Sequence, residues 1–161
     1  MVHSLVKSFG YAISGVWYCI RTQRNFRFHM VAALTVLILS RFFQLTEIET
    51  VLLAFTILFV MICEMINTAI EATVDIYCKT YHPMAKIAKD VAAGAVFLSA
   101  VIAVAVGIVL FWKPDIIWSI LQFAADTPAV WAGTAAYIVL AVWFIGGWVF
   151  QNEEKTNESK F

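Results

Sequence analysis

The chain has 161 residues, 62% hydrophobic and 14% charged, with 11 Lys+Arg balanced by 11 Asp+Glu. An average globular protein is roughly 45–50% apolar and about 25% charged, and a soluble domain this small has too much surface to bury the difference. Lipid must therefore solvate much of the chain, and a net charge of zero gives a nucleic-acid partner no support. In chain order, the first element is an amphipathic surface helix over about residues 4–27. Leu5, Phe9, Ile13, Val16, Trp17 and Ile20 recur at helical spacing, with Lys7, Ser8, Ser14 and Arg21 mostly between them. Four apolar spans follow, over about 28–45, 51–77, 88–112 and 129–150, each near the ~20 residues that cross a hydrocarbon core. The first carries Arg41 near one end, where a long side chain snorkels to the interface. The last has Trp131, Trp143 and Trp148 toward its ends, as interface anchors do. Residues 113–128 read as an outer loop or interfacial segment, and 151–161 as a polar tail. The expected fold is an all-α membrane protein.

Orientation follows from the cations. With the N-terminus inside, Lys7, Arg21, Arg24, Arg27, Lys79, Lys86, Lys89, Lys155 and Lys160 are cytoplasmic, and only Arg41 and Lys113 lie outside. This is a strong positive-inside bias. It places both termini of a multi-pass protein on the cytoplasmic side. The cysteines Cys19, Cys63 and Cys78 form no C-x-x-C pair and read as small packed hydrophobes.

The second span is the informative one. Glu64, Asn67, Glu71 and Asp75 are spaced i, i+3, i+7, i+11, so at about 100° per residue they share roughly a quarter of the helix circumference. With a rise of 1.5 Å per residue, Glu64 lies about 16 Å deeper than Asp75. Ionisable side chains at such depth mark function; a general base and a proton relay both fit, as does interhelical hydrogen bonding as plain glue. The following turn brings Tyr81, His82, Lys86, Lys89 and Asp90 to the same membrane face. Carboxylates there can hold a divalent ion while Lys meets phosphate; the plainer alternative for Lys89 and Asp90 is an interfacial charge pair. Neither G-x-x-x-x-G-K-[ST] nor G-x-G-x-x-G occurs.

Glu64-Met65-Ile66-Asn67-Thr68-Ala69-Ile70-Glu71 with Asp75 resembles the E-x-x-N-[ST]-A-I-E-x-x-x-D signature of the small bacterial membrane diacylglycerol/undecaprenol kinases. Residues 81–95, from Tyr81-His82-Pro83 through Lys89-Asp90 to Gly94-Ala95, resemble the family's second block, and Gly10-Tyr11, Gly15, Arg24-Asn25 and His29 its surface-helix region. The resemblance covers roughly residues 4–112. It implies a lipid-kinase core over 1–112, made of the surface helix and three spans, with the fourth span as an addition, and it implies a homotrimer. It also implies transfer of the ATP γ-phosphoryl group to a membrane lipid hydroxyl with Mg²⁺. Glu64 is then the catalytic base that meets the lipid substrate, and Glu71 holds the metal. Asn67, Glu71, Lys89 and Asp90 contact the nucleotide, and Tyr11, Tyr81 and His82 line its base or ribose side. Two positions depart from the family pattern. Gln23 stands where a metal-binding Glu is usual, and Ser4 where some members carry Arg.

The second block looks more like the Gram-positive members, which favour undecaprenol, with diacylglycerol as the alternative acceptor. Two other classes fit the stripe: a proton-coupled transporter, and a non-catalytic membrane subunit descended from the kinases. The stripe opens toward the cytoplasm only, which counts against the transporter.

Overall fold

In hydrocarbon a backbone must satisfy its own hydrogen bonds, and helices do so within one segment. The computed structural model describes the backbone of residues 2–158 and the side chains of residues 6–146, so Ser4, Trp148, Lys155 and Lys160 lie outside the described side chains. Among the described residues the order is α1 (Val2–Thr22), α2 (Arg24–Ser40), α3 (Glu47–Tyr77), α4 (Pro83–Phe111), α5 (Pro114–Asp126) and α6 (Pro128–Glu158). The protein is an all-α membrane protein.

Local chemistry sets the boundaries. Thr46 and Glu49 form a capping box at the start of α3: the Glu49 carboxylate accepts from Thr46 N at 2.7 Å, and Thr46 Oγ1 accepts from Glu49 N at 3.3 Å. Helix α4 begins with Pro83, whose missing N–H costs nothing in a first turn. His82 caps it, Nδ1 accepting from Met84 N at 3.2 Å.

Helices α3, α4 and the 128–146 part of α6 are long and apolar enough to cross a membrane. Helix α2 is shorter than the expected span over 28–45. Its 17 residues rise only about 26 Å, against a hydrocarbon core of about 30 Å. A turn over 41–44 ends it, with Gln44 in the left-handed region at φ 47. The turn swings Phe43 into the core, 5% exposed, edge-on to Phe111 with ring centroids 4.9 Å apart. Lys113 then pins this outer corner, donating to Phe43 O at 3.2 Å and standing 3.7 Å from Glu49 Oε1.

The α3–α4 pair is the most extensive packing, with α2 laid against α3 and α1 touching both α2 and α3 more lightly. Leu53 and Val60 of α3 and Ala92, Val96 and Leu110 of α4 are buried. The stretch 113–128 is mostly helix, α5, with no buried residue. Helix α6 packs on α2 through one polar anchor: Thr35 Oγ1 donates to Val31 O at 2.8 Å and receives the Tyr137 hydroxyl at 2.7 Å. The helical backbone of α6 runs on to Glu158, past the point where the sequence reads as a tail, because Gln, Glu and Lys are good helix formers.

Candidate active site

Helix α3 is unbroken from Glu47 to Tyr77, so its four polar residues lie along one line. Glu64 is the deepest and is 3% exposed. Its backbone carbonyl receives the Thr68 hydroxyl at 2.9 Å, while its Oε1 receives no hydrogen bond. His29 of α2 stands beside it, with Nε2 3.3 Å from Glu64 Oε1 but off the hydrogen-bond direction. One turn farther along α3, Asn67 Nδ2 donates to Glu71 Oε1 at 3.0 Å. The other end of that amide, Asn67 Oδ1, is buried without a donor. Helix α1 closes this layer with Cys19, whose thiol faces the Thr68 hydroxyl; burial pushes the thiol pKa up, Thr68 opposes the shift, and the Glu64 charge adds to it.

The stripe's C-terminal end opens into a cavity of ≈ 260 Å³ lined by Asp75, Tyr81, His82, Lys86, Lys89 and Asp90 among others. Lys89 Nζ donates to Asp75 Oδ1 at 2.6 Å, bridging α4 to α3. Asp90 pairs with Lys86 at 2.5 Å. Lys89 and Asp90 are therefore not partners, and the plain alternative of an interfacial pair between them is not formed. Successive helix residues point about 100° apart, and each instead reaches the group three-dimensional packing or i,i+4 spacing offers.

A second, apolar groove of ≈ 310 Å³ runs between α2, α3 and α4. It is lined by Ala32, Ala33 and Val36 on α2, by Leu53 through Met61 positions on α3, and by Ala100, Ala103 and Gly107 on α4, with His29 also in its wall. Small residues on the facing helices leave the space.

The structure thus brings Asp75, Tyr81, His82, Lys89 and Asp90 around one cavity, with Asn67 and Glu71 bonded to each other along the stripe and Glu64 beyond them. It does not bring Tyr11 to that cavity's lining, and leaves Tyr11 74% exposed on α1. Gln23 occupies the joint between α1 and α2; its N–H donates to Cys19 O at 2.9 Å, and its side chain makes no cap bond. Among the described residues no group of three His, Cys, Asp or Glu side chains stands together to hold a metal ion. Sequence reasoning gave no role to His29 or Thr68, since each depends on which helix faces which. It read Lys86 only as one more cytoplasmic cation.

A sequence model for prokaryotic diacylglycerol kinase matches residues 10–111, which is most of α1 and all of α2–α4. The chain belongs to the prokaryotic diacylglycerol kinase family. It is 46% identical to the diacylglycerol kinase of Synechocystis sp. over 112 residues, 69% of this chain and 64% of that protein. The aligned stretch therefore spans less than two thirds of that relative. It is 46% identical to the undecaprenol kinase of Bacillus subtilis over 105 residues, 65% of this chain and 85% of that one. With the diacylglycerol kinase of Escherichia coli the identity is 32% over 109 residues, 68% and 89% of the two chains. The family is one of membrane lipid kinases, and α5 and α6 lie outside the matched region.

Proposed function

We propose that this protein phosphorylates a membrane lipid alcohol with ATP and Mg²⁺ at the cytoplasmic face of the bacterial inner membrane, and that the alcohol is undecaprenol. The observation that carries the reading is Glu64: a carboxylate 3% exposed, with one oxygen unbonded, on the same helix face as the Asn67–Glu71 pair. A base for a lipid hydroxyl needs that depth, and phosphoryl transfer needs little beyond positioning and charge neutralisation.

In the reaction, Glu64 takes the proton of the acceptor's hydroxyl. The acceptor oxygen forms its bond to the γ-phosphorus while the bond to the β–γ bridging oxygen breaks, and ADP leaves with that electron pair. Lys89 exchanges Asp75 for a phosphate oxygen, and Tyr81 and His82 flank the nucleotide in the cavity they line. Asn67, Lys89 and Asp90 complete the nucleotide contacts of this reading; Tyr11, exposed on α1 away from that cavity's lining, is not among them.

The residues fit a hard cation. Asn67 Oδ1 is a buried acceptor without a donor, beside the Glu71 carboxylate, and Mg²⁺ is typically held by one or two carboxylates together with substrate phosphates. Glu71 and Asn67, with Gln23 from the α1–α2 joint, are the side chains that would hold it. Bound there, the ion would neutralise charge developing on the phosphates.

The choice of undecaprenol over diacylglycerol rests on the narrow apolar groove beside Glu64, whose walls run about 12–16 Å along the three helices at 1.5 Å per residue. One hydrocarbon chain fits such a channel lengthwise. The two relatives at 46% identity carry one acceptor name each, so identity does not choose. Both termini in the cytoplasm, and a homotrimer, belong to the same reading. The test is purified protein in lipid with Mg·ATP and either undecaprenol or diacylglycerol, with the phosphorylated lipid resolved chromatographically. Undecaprenyl phosphate as the preferred product supports the reading; phosphatidic acid as the preferred product shifts the acceptor, and neither product removes the function.

A further inference from the structure

The geometry points to His29 as a positioning residue that holds the Glu64 carboxylate over the mouth of the apolar groove, where the acceptor's hydroxyl arrives. This rests on the proposed function, in which Glu64 is the base and the groove takes the acceptor's chain. Three observations carry it. First, His29 is the group beside the base: its Nε2 is 3.3 Å from Glu64 Oε1, with side chains 20% and 4% exposed. That carboxylate oxygen is otherwise buried with no hydrogen bond, an arrangement that costs free energy unless a donor completes it.

Second, His29 lines the apolar groove, whose lining includes one other polar side chain, Thr56. The Thr56 hydroxyl is committed to Leu52 O at 2.7 Å. His29 is thus the one lining side chain with a hydrogen-bond donor left for an incoming alcohol or for the base. Third, the imidazole is set edge-on to Phe28, with ring centroids 5.7 Å apart, and Phe28 lines the same groove. A chain seated in the groove presses on both rings. In empty sites the working hydrogen bonds are often long or poorly aligned and tighten when substrate binds. A small rotation of the ring turns the 3.3 Å approach into an Nε2–H···Oε1 bond, which fixes one carboxylate oxygen and leaves the other for the acceptor's proton.

The test compares His29→Phe, which keeps the packing and loses the donor, with His29→Gln, which keeps an N–H donor on a flexible stem. Each is purified in lipid, checked for folding by thermal unfolding, and assayed for lipid phosphorylation with separate titrations of ATP and lipid alcohol. His29→Phe should lower kcat by at least about tenfold, since a misplacement near 1 Å can cost ~10²-fold, with KM for ATP unchanged. His29→Gln should stay within about threefold of the parent, a margin set by the modest worth of one hydrogen bond. In a Glu64→Gln background His29→Phe should cost no further turnover, because residues acting as a unit are not additive. Turnover of His29→Phe near the parent's, equal loss in the Phe and Gln variants, or fully additive losses with Glu64→Gln would each overturn the assignment. A parent protein that phosphorylates neither lipid overturns the proposed function itself, which a working parent with a tolerant His29 does not.

Discussion

Lys89 of α4 and Asp75 of α3 meet across the helix pair at 2.6 Å, yet their side chains are 35% and 64% exposed. A pair so open to solvent contributes about 0–1 kcal/mol, so the cation is held in place without being locked there. A phosphate can displace the aspartate at little cost. Lys89→Ala should therefore raise the KM for ATP by about tenfold or more, since hydrogen bonds to charged groups are worth ~1.5–3 kcal/mol. Its thermal stability should barely move. Asp75→Asn should leave ATP affinity unchanged or slightly improved. The two titrations, with unfolding curves, check this; a large stability loss with unchanged KM in Lys89→Ala would make the pair a structural tie.

Glu64→Gln removes the basic oxygen and keeps the volume of a side chain that is 3% exposed. We expect lipid phosphorylation to fall by ~10²–10⁴, the usual contribution of a positioned base. ATP binding should persist, because the phosphate-facing cavity is lined at Asp75, Lys86, Lys89 and Asp90, well along the helix from Glu64. Turnover within about tenfold of the parent would remove Glu64 as an essential base.

The parts of the fold that lipid dictates were readable from composition. Helices α3, α4 and α6 are apolar runs of spanning length, and the acidic stripe follows from spacing alone because α3 is one straight period. The end of α2 was not readable. Phe42, Phe43 and Leu45 resume the apolar run after Ser40-Arg41, and Arg41 reads as a snorkelling end residue, so the sequence carries the span past the point where the backbone turns. The site divides in the same way. Glu64, Asn67, Glu71 and Asp75 share a face by periodicity, whereas His29 beside Glu64 and Lys89 on Asp75 depend on helix rotation, which no single-helix pattern encodes.

Helix α6 is tied to α2 by the Tyr137 hydroxyl on Thr35 and Val31. None of its described residues lines either cavity described above. Tyr137→Phe should cost about 0.6–1 kcal/mol, the typical worth of an interhelical hydrogen bond in a membrane. Turnover per folded molecule should remain within about twofold, well under the loss expected when a group in the reaction is removed. A melting-temperature shift with unchanged kcat bears this out. A folded Tyr137→Phe protein that has lost most of its turnover would instead make α6 part of the working site.

Gln23 sits at the single-residue joint between α1 and α2, bonded through its backbone to Cys19 and Arg27, with a side chain that makes no cap bond. Cys19, one turn earlier, already packs against Thr68 of α3, so the joint lies on the stripe's side of the surface helix. A neutral amide there supplies a weaker ligand to a hard cation than a carboxylate would, since charge count sets affinity in such sites. The metal would then rely on Glu71, Asn67 and the nucleotide's own phosphates. Gln23→Glu should lower the Mg²⁺ concentration for half-maximal activity several-fold, by an electrostatic contribution of about 1 kcal/mol or more in a partly buried setting. The measurement is a Mg²⁺ titration at saturating ATP, repeated with Mn²⁺. Superimposable curves for parent and variant would place residue 23 outside the metal's reach and leave the ion to Glu71, Asn67 and the phosphates alone.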